Sequence, residues 1–546
     1  MNNYYCDFET CLHNEKAKVW LACALNSEDN TYSISTNIEQ FLKGFKNSSN
    51  LYFHNLKYDG SYLLNYLLNN NFKWTNNKKL ENNQFSTLID KFGVFYMMKI
   101  KFKRVTLTIY DTLKIIPLSE LNIATSFNLD TKKGSIDYEK DRDENYIPSD
   151  EEIEYIKNDC YIIKKAHEYF LSDNLTKATL ASNAFSYFKS TLNFDFRKCF
   201  PVIDLSTDKE LRKYYKGGYC YLTDNYKSKI VHDVFVYDVN SLYPYVMYIN
   251  QYPCGTPKYF KGKYKGNSKL VLHHIKAFFI LKDGYLPTIQ IKNNNNFNPC
   301  EYLKSSDGNI IDLYLPELDL KLFLEHYDIP ILEYIDGYEF KSIDNLFKKY
   351  IDKWISVKIN NKGGKKALAK LMLNALYGKF ALNPVRESKR PYLNDENSLS
   401  FETFKDIDSE PIYTPISIFV TSYARYHTIS NAQKYHRLNR LIYCDTDSLH
   451  IIGARIKDLE IHDSKLGAWK LEEHFYEAKY LHQKCYFGID ENKKKYIKIA
   501  GLPKDKNLNK VLNIENFKYG FTYGECLKSR QINGGIYLKK TPFKIR

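Results

Sequence analysis

The sequence predicts a multidomain protein of mixed α/β and α+β class. Its 546 residues exceed what one compact core holds, because domains average about 150 residues, so three or four units are expected. Strand-like and helical patterns alternate over roughly the first 165 residues, as in an α/β domain. A helix-rich connector follows at roughly 166–200, and the remainder mixes strands and helices. The hydrophobic content of 44% is sufficient for a sizeable core.

Composition favours a polyanionic partner. The net charge of +15 comes with 48 Tyr and 33 Phe, and lysines interleaved with aromatic residues suit nucleic acid. A generally solvated basic surface and an AT-rich genome are the alternatives. No apolar run reaches the roughly 18 residues of a membrane span, and the start MNNYYCDFET lacks the pattern of a secretory signal. Eleven cysteines without a C-x-x-C pair indicate a reduced, intracellular protein without structural zinc.

Two carboxylates lie close together near the N-terminus. The run YYCDFETC is typical of a strand, on which Asp7 and Glu9, two residues apart, project from one face. The run LYFHNLKYDGSYLL follows and carries Asn55 and Asp59. An ordinary surface strand is the alternative for the first run taken alone.

A helix is predicted over 148–166. Ser149 and Glu152 match a capping box at its start. Tyr155 and Asp159 are four residues apart and therefore share one face of the helix.

Together these runs predict a cation site. Asp7, Glu9, Asp59 and Asp159 can converge at one end of a sheet, and hard divalent cations such as Mg²⁺ prefer oxygen ligands. Two ions about 3.5–4 Å apart support phosphodiester cleavage, for which Tyr155 would orient the attacking water.

A second carboxylate set occurs in the C-terminal two thirds. YCDTDSLH indicates the tip of a strand–turn–strand unit, with Asp445 and Asp447 one residue apart. Asp238 ends the apolar run VFVY, and the carbonyl of Val239 adds an oxygen. Asp238 and Asp447 would hold two Mg²⁺ ions with Asp445 beside them, as phosphoryl transfer requires. A strand-end aspartate that caps a turn is the alternative for Asp238.

The run KKALAKLMLNALYGKF predicts a helix over 365–380. Lys366, Lys370, Asn374 and Tyr377 line one face, where lysines can meet nucleotide phosphates. The alternative is a solvated lysine face. Gly378 suggests close approach of the backbone to a ligand or a strand.

With these residues in hand, the chain resembles the family B DNA polymerases, and within them the protein-primed polymerases of small tailed phages, the phage phi-29 type. DFET, FHNLKYDG and YIKND resemble the three exonuclease motifs. DVNSLYP, KLMLNALYGKF and YCDTDS resemble polymerase motifs A, B and C. YYKGGY, TSYAR and the K-x-Y element formed by Lys484 and Tyr486 resemble the remaining elements of the family.

The resemblance implies an RNase H-like 3′→5′ exonuclease domain at 1–180 and a right-hand polymerase domain at 181–546. Its implied parts are the palm at 181–250 and 413–490, insertion 1 at about 250–345, fingers at about 346–382, insertion 2 at about 383–412 and thumb at about 490–546. In the family, insertion 1 contacts the priming protein, and insertion 2 gives processivity and strand displacement.

The resemblance also implies roles for individual residues. The implied polymerase catalytic and metal-binding residues are Asp238, Val239, Asp445 and Asp447, and those of the exonuclease are Asp7, Glu9, Asp59, Asp159, Tyr155 and Lys133. Nucleotide contacts are implied for Tyr243, Lys358, Lys366, Lys370, Asn374, Tyr377 and Gly378. DNA contacts are implied for Tyr52, His54, Asn55, Tyr58, Leu113, Tyr138, Tyr215, Gly217, Gly218, Ser241, Arg425, Lys484 and Tyr486.

Two positions depart from the family pattern. Ala375 replaces a serine in motif B, which puts one hydroxyl contact in doubt. Ser135 stands where a relative has an acidic residue, which puts a supplementary metal contact in doubt, although Asp137 is nearby.

The resemblance implies protein-primed, strand-displacing replication of a linear phage genome with 3′→5′ proofreading. It implies two Mg²⁺ or Mn²⁺ ions per site, template and primer DNA, dNTPs, a terminal protein as heterodimer partner, and the cytoplasm of a bacterial host. The main alternative is a family B polymerase that extends only nucleic-acid primers. A reverse transcriptase would lack the N-terminal carboxylates, and an inactive DNA-binding relative would lack at least one metal carboxylate.

Overall fold

The structure is a computed structural model. It describes residues 1–129, 136–137, 140–143, 145–290, 302–406, 408–453, 456, 458–499, 501–502 and 506–546, with side chains at all of these except 506, 507, 509, 525 and 527. Lys133, Ser135, Tyr138 and the polar run 293–298 lie outside the described residues.

The N-terminal part forms an eight-stranded sheet with helices on both faces. Its strands are β1 (Asn2–His13), β2 (Lys16–Asn26), β3 (Tyr32–Ser35), β4 (Ser49–Phe53), β5 (Lys73–Trp74), β6 (Gln84–Ile89), β7 (Phe95–Phe102) and β8 (Val105–Asp111). Its helices are α1 (Ile38–Gly44), α2 (Leu56–Asn69), α3 (Glu120–Ser126) and α4 (Asp150–Ser172). The order is β3-β2-β1-β4-β8-β7-β6-β5, with β1, β4 and β8 mutually parallel.

The side chains of β1 alternate between the two faces of the sheet, and each face packs against a different helix. Phe8 belongs to the apolar cluster that includes Leu63 of α2. Tyr5 belongs to the cluster that includes Ile163 of α4. Successive side chains of a strand point to opposite faces, so Asp7, two residues beyond Tyr5, emerges on the α4 side.

The central part is a seven-stranded antiparallel sheet preceded by short helices. These elements are α5 (Leu180–Ser190), α6 (Phe196–Cys199), α7 (Leu205–Leu211), β9 (Cys220–Leu222), β10 (Ile230–Val239) and α8 (Leu242–Ile249). An inserted unit then contributes β11 (Tyr252–Lys261), β12 (Val271–Leu281), β13 (Ile289–Gln290), β14 (Tyr302–Leu303), β15 (Ile311–Pro316), α9 (Glu317–His326) and β16 (Tyr327–Ile343). Four of its strands form a sheet of order β11-β16-β12-β15.

The remaining elements complete the central sheet and add two hairpins. They are α10 (Lys348–Asn360), α11 (Gly363–Ala375), α12 (Tyr377–Phe380), β17 (Glu387–Leu393), β18 (Leu399–Lys405), α13 (Thr414–Arg437), β19 (Leu441–Asp445), β20 (Ser448–Ile452), β21 (Trp469–His482), β22 (Cys485–Ile489), β23 (Lys495–Ile499), α14 (Lys506–Val511), β24 (Thr522–Ile532) and β25 (Gly535–Lys544). The central order is β23-β22-β21-β10-β20-β19-β9. In the part of the chain that is described, no helix combines the length and apolarity needed to span a membrane.

The helix predicted over 365–380 is interrupted at Leu376, between α11 and α12. The Tyr350 hydroxyl donates to the carbonyl of Met372 at 2.6 Å, the carbonyl that would accept from Leu376 in a continuous helix. Ser417 donates to the carbonyl of Tyr377 at 2.6 Å. Tertiary hydrogen bonds therefore compete with the helix at this point.

Candidate active sites

The N-terminal carboxylates come together at the end of the first sheet. One carboxylate oxygen from each of Asp7, Glu9 and Asp159 lies within 4.8 Å of the other two. They line a cavity of about 240 Å³ that Asp59 and Tyr155 also line. The structure thus places the five residues predicted for cation binding and water orientation in one cavity.

The helix carrying two of these residues begins as predicted. Ser149 and Glu152 form the capping box of α4. Its inner face then presents Tyr155 and Asp159 one turn apart, and both are buried.

The chemistry of this set fits a divalent cation. The Asp59 side chain is only 3% exposed, and its Oδ1 atom has no hydrogen-bond partner among the described residues. Burial raises the pKa of Asp7 well above its usual range, and Asp59 and Glu9 add to the rise. The pKa of Asp59 is raised in the same way by burial and then by Glu120. Crowded buried carboxylates need a compensating cation.

The motif between β4 and α2 lines the same cavity through His54, Asn55 and Tyr58. Asn55 has φ 71°, and its amide donates to Asp111 Oδ1 at 3.0 Å. His54 pairs with the carbonyl of Leu118 at 2.8 Å. These contacts hold the His54 side chain and the Asn55 backbone beside the cavity.

Two residues predicted to guide a 3′ end lie elsewhere. The Tyr52 ring stacks between Tyr5 and Tyr110, at centroid distances of 5.4 and 5.5 Å, inside the layer that α4 covers. Leu113 lies in a short 3₁₀ turn and, like Tyr52, is not among the cavity-lining residues. Tyr52 therefore supports the sheet, because its flat faces are occupied by other rings.

The C-terminal hairpin reaches this N-terminal cavity. Leu538 of β25 lines it. Nearby, the Tyr62 hydroxyl donates to the carbonyl of Ile536 at 2.5 Å, and the amide of Ala17 donates to the carbonyl of Asn533 at 2.9 Å.

The second carboxylate set lies on the central sheet. Asp238 is the Cα partner of Ser448, which places it beside Asp447. The amide of Val239 donates to the carbonyl of Asp447 at 2.8 Å. Asp238, Asp445 and Asp447 line one cavity of about 540 Å³.

This cavity also fits cations. Burial, then Asp447 and Glu472, raise the pKa of Asp238 to about 8, against the opposing effect of Lys370 and Lys470. Burial, then Asp445 and Glu472, raise the pKa of Asp447 to about 6. Like-charge repulsion between closely spaced carboxylates is what a bound cation removes.

A strained turn holds the hairpin tip. Thr446 has φ 59°, and its amide donates to the carbonyl of Tyr219 at 2.7 Å. A Cβ atom on Gly218 would lie 2.7 Å from Thr446 Oγ1. Gly218, predicted to contact DNA, is therefore required by the protein itself for close packing under the tip.

The predicted nucleotide lysines gather next to motif A. Lys358 Nζ donates to Ser241 Oγ at 3.1 Å. Burial, then Lys370, Lys366 and Lys470, lower the pKa of Lys358. Lys366, Lys370 and Asn374 line a further cavity of about 510 Å³ on the face of α11, as their spacing predicted.

Two tyrosines stack on each other near the Asp447 carboxylate. The rings of Tyr243 and Tyr377 stack at 4.1 Å with an interplanar angle of 18°. A Cβ atom on Gly378 would meet no described atom within 4 Å. No strand of the described structure therefore approaches Gly378 closely.

The K-x-Y element lies at the carboxylates of the central sheet. Lys484 Nζ is 3.9 Å from Asp445 Oδ1, and Lys484 and Tyr486 both line the carboxylate cavity. The Tyr215 side chain, predicted to contact DNA, is half-buried and packs against the main apolar cluster.

Arg425, predicted to contact DNA, lies inside the protein in this structure. It is 3% exposed, and its guanidinium pairs with both carboxylate oxygens of Asp319 at 2.8 and 2.9 Å. It also donates to the carbonyls of Lys216 and Gly217 at 2.8 and 2.9 Å. Through these contacts Arg425 fixes the loop at 216–217.

Comparison with known proteins identifies the family. The family model for DNA polymerase type B, organellar and viral, matches residues 44–151 and 139–466. The DNA polymerase of Bacillus phage phi29 is 41% identical over 100% of this chain and 99% of its own length. This chain belongs to the type B DNA polymerases.

Other relatives agree with this assignment. The DNA polymerase of Streptococcus phage Cp-1 is 35% identical over 100% of this chain and 99% of its own length. The structure of phi29 DNA polymerase complexed with primer-template DNA covers 100% of both chains at a TM-score of 0.93 and 39% identity. The ternary complex of that polymerase with incoming nucleotide substrates matches at 0.93 and 40%. The mixed α/β multidomain fold and DNA-directed DNA synthesis follow.

Three charged residues of the two sites were missed from sequence. Glu120 opens α3 and lines the N-terminal cavity, whereas Glu472 lines the central one. Lys470 is the Cα partner of Asp238. Their local sequence carries no motif, and only strand register and helix placement bring them to the sites.

Proposed function

We propose that this polymerase replicates a linear phage genome by protein-primed, strand-displacing synthesis and proofreads with a 3′→5′ exonuclease. The observation that carries the proposal is the separation of two carboxylate sets, each in its own cavity on its own sheet. Primer–template DNA and dNTPs are the substrates, as in the complexes of the related phi29 enzyme.

Each carboxylate set would hold two divalent cations, Mg²⁺ or Mn²⁺. Asp238 and Asp447 with the Val239 carbonyl would bind them in the central cavity, with Asp445 beside them. Asp7, Glu9, Asp59 and Asp159 would bind them in the N-terminal cavity. Bound there, such ions stabilise the charge that develops in phosphoryl transfer.

In the polymerase site, the protein's own side chains would position the nucleotide. Lys358, Lys366 and Lys370 would provide cations for its phosphates, and the half-buried Tyr243 ring would exclude a ribose 2′-hydroxyl. Lys484 and Tyr486 would hold the primer end against the carboxylates. In the exonuclease site, Tyr155 would orient water while Asn55 and Tyr58 guide the single-stranded 3′ end.

The hairpin β17–β18 supports processive, strand-displacing synthesis. At its base, Lys91 pairs with Glu387 at 2.7 Å, and Trp74 packs edge-on against Phe404 at 5.4 Å. At its tip, Ser398 forms a β-bridge with Asn533 of the C-terminal hairpin. The two hairpins therefore join beside the N-terminal part, an arrangement suited to retaining DNA.

Protein priming is supported by the inserted sheet β11-β16-β12-β15, at the position of the family's terminal-protein contact. We place the enzyme in the cytoplasm of a bacterial host, in keeping with the free thiols of all ten cysteines that the structure describes.

The test uses a labelled primer–template and Mg²⁺. With dNTPs the primer should lengthen through a downstream duplex, and without them it should shorten from its 3′ end. Candidate terminal protein with labelled dATP should give a protein–nucleotide adduct. Extension without any adduct would favour the alternative, a polymerase that uses nucleic-acid primers only.

A further inference from the structure

Lys470 lies directly opposite a polymerase carboxylate. It is the Cα partner of Asp238 on the neighbouring antiparallel strand, at the start of β21. Side chains of such partners leave the sheet on the same face, with Cβ atoms about 4.5–5.5 Å apart. The half-buried Lys470 side chain therefore emerges on the face where Asp238 lines the cavity.

The Lys470 ammonium belongs to a cluster of four lysines. Its charge acts on Lys358 together with those of Lys366 and Lys370. Among the described residues, no carboxylate forms a salt bridge with any of the four. Four clustered cations that form no salt bridge, with Asp238 as an acidic neighbour of Lys370 and Lys470, are suited to a polyanion that a bound cation links to the carboxylates.

The position of Lys470 relative to Asp447 indicates which part of a bound polyanion Lys470 would contact. In the central sheet, β10 lies between β20 and β21. Asp447 adjoins the β20 side of Asp238, and Lys470 adjoins the β21 side. Asp238 therefore has Asp447 on one side and Lys470 on the other, so a polyanion that binds at Asp238 and extends toward β21 meets Lys470. The primer-end residues Lys484 and Tyr486 follow the opposite end of β21.

We propose that Lys470 binds the outer phosphates of the incoming deoxynucleoside triphosphate and the pyrophosphate released from it. This inference rests on the proposed nucleotidyl transfer. Lys358, Lys366 and Lys370 approach from helices α10 and α11, and Lys470 approaches from the sheet. The triphosphate tail is thus held from two sides.

The test compares K470A and K470R with the unmodified polymerase on a primer–template. Lys465, which pairs with Glu460, provides the charge-matched control K465A. Single-turnover incorporation gives the dNTP dissociation constant and the maximal rate. Inhibition by inorganic pyrophosphate gives its affinity, and Mn²⁺ titration followed by electron paramagnetic resonance gives cation affinity.

K470A should weaken dNTP and pyrophosphate binding by about 5- to 20-fold, typical of a lost charged contact, with a smaller change in maximal rate. K470R should restore both affinities to within about two-fold, and K465A should resemble the unmodified enzyme. Exonuclease activity should be unchanged in all three variants.

Unchanged dNTP and pyrophosphate affinities in K470A would overturn the inference. So would tighter Mn²⁺ binding as the only effect, because Lys470 would then merely neutralise Asp238. Weaker dNTP binding with unchanged pyrophosphate binding would also contradict it. Failure of the proposed function itself is distinguishable, since the unmodified polymerase would then not incorporate nucleotides.

Discussion

The amide of Val239 donates a hydrogen bond to the carbonyl of Asp447 at 2.8 Å, although the two residues are more than two hundred positions apart in the chain. This bond extends the β10–β20 ladder beyond Asp238 and fixes the motif A turn against the motif C tip. The two metal-binding candidates Asp238 and Asp447 are therefore placed by backbone pairing and not by contacts between their own side chains.

Replacing Tyr243 should relax sugar discrimination. Its ring stacks on Tyr377 beside the carboxylates, where it can exclude a 2′-hydroxyl. Y243V should raise the ratio of kcat/KM for rNTP over dNTP by about 10- to 100-fold, the usual value of a steric contact in a pocket. Y243F keeps the ring and should behave like the unmodified enzyme. An unchanged ratio in Y243V would assign discrimination to another group.

Gly378 should contribute to nucleotide binding and not to stability. A Cβ atom there would meet no described protein atom within 4 Å, and alanine is the better helix former by up to about 1 kcal/mol. G378A should therefore keep or raise the melting temperature while the KM for dNTP rises several-fold.

Gly218 offers the contrasting case. Its Cβ would lie 2.7 Å from Thr446 Oγ1, so G218A should shift the motif C tip and lower both stability and activity. Equal activity of G378A and the unmodified enzyme would show that no ligand approaches Gly378.

Removing the Arg425 ion pair should destabilise the protein. R425A leaves the largely buried Asp319 carboxylate without its ion-pair partner, with only the Ser422 hydroxyl still donating to it, which costs about 3–5 kcal/mol, measurable as a lower urea midpoint. The double variant R425M/D319L should lose less than the sum of the single variants, because no buried charge remains. Near-additive losses would indicate that the two side chains do not interact.

Stability without metal should depend on pH through Asp238. Its pKa rises from 3.8 to about 8 on folding, so the folded chain keeps a proton that the unfolded chain has lost. Stability therefore decreases as pH rises from about 4 to about 8. In EDTA at pH 8, D238N should be more stable than the unmodified protein by about 1–3 kcal/mol.

Mg²⁺ should offset this loss, because it binds the deprotonated carboxylates. Its stabilising effect should grow from pH 6 to pH 8 in the unmodified protein and be reduced in D238N. Thermal melts with and without Mg²⁺ measure both effects. Equal melting temperatures of the two proteins in EDTA at pH 8 would contradict the raised pKa of Asp238.

Local patterns in the sequence predicted much of both sites. The two-residue strand period placed Asp7 and Glu9 on one face, and the capping box fixed the start of α4 with Asp159 inside it. The apolar runs on either side of Asp445 and Asp447 predicted the hairpin tip that carries these two residues. In each case the residues that determine the local structure lie within a few positions of one another, so the sequence pattern alone predicts it.

Contacts between distant segments could not be predicted in this way. Arg425 is buried because Asp319, on the inserted unit, supplies its partner. The break at Leu376 depends on the Tyr350 hydroxyl from another helix. Lys470 reaches Asp238 only through the register of β10 and β21, including a bulge after Val236. None of these relationships leaves a periodic or motif signal.

The central claim is that the two carboxylate sets form separate active sites, one for synthesis and one for trimming. Primer extension and 3′ shortening, measured side by side on D447N and D7A, test it most directly. The account predicts that D447N loses extension and keeps shortening, and that D7A loses shortening and keeps extension. Loss of both activities in both variants would contradict it.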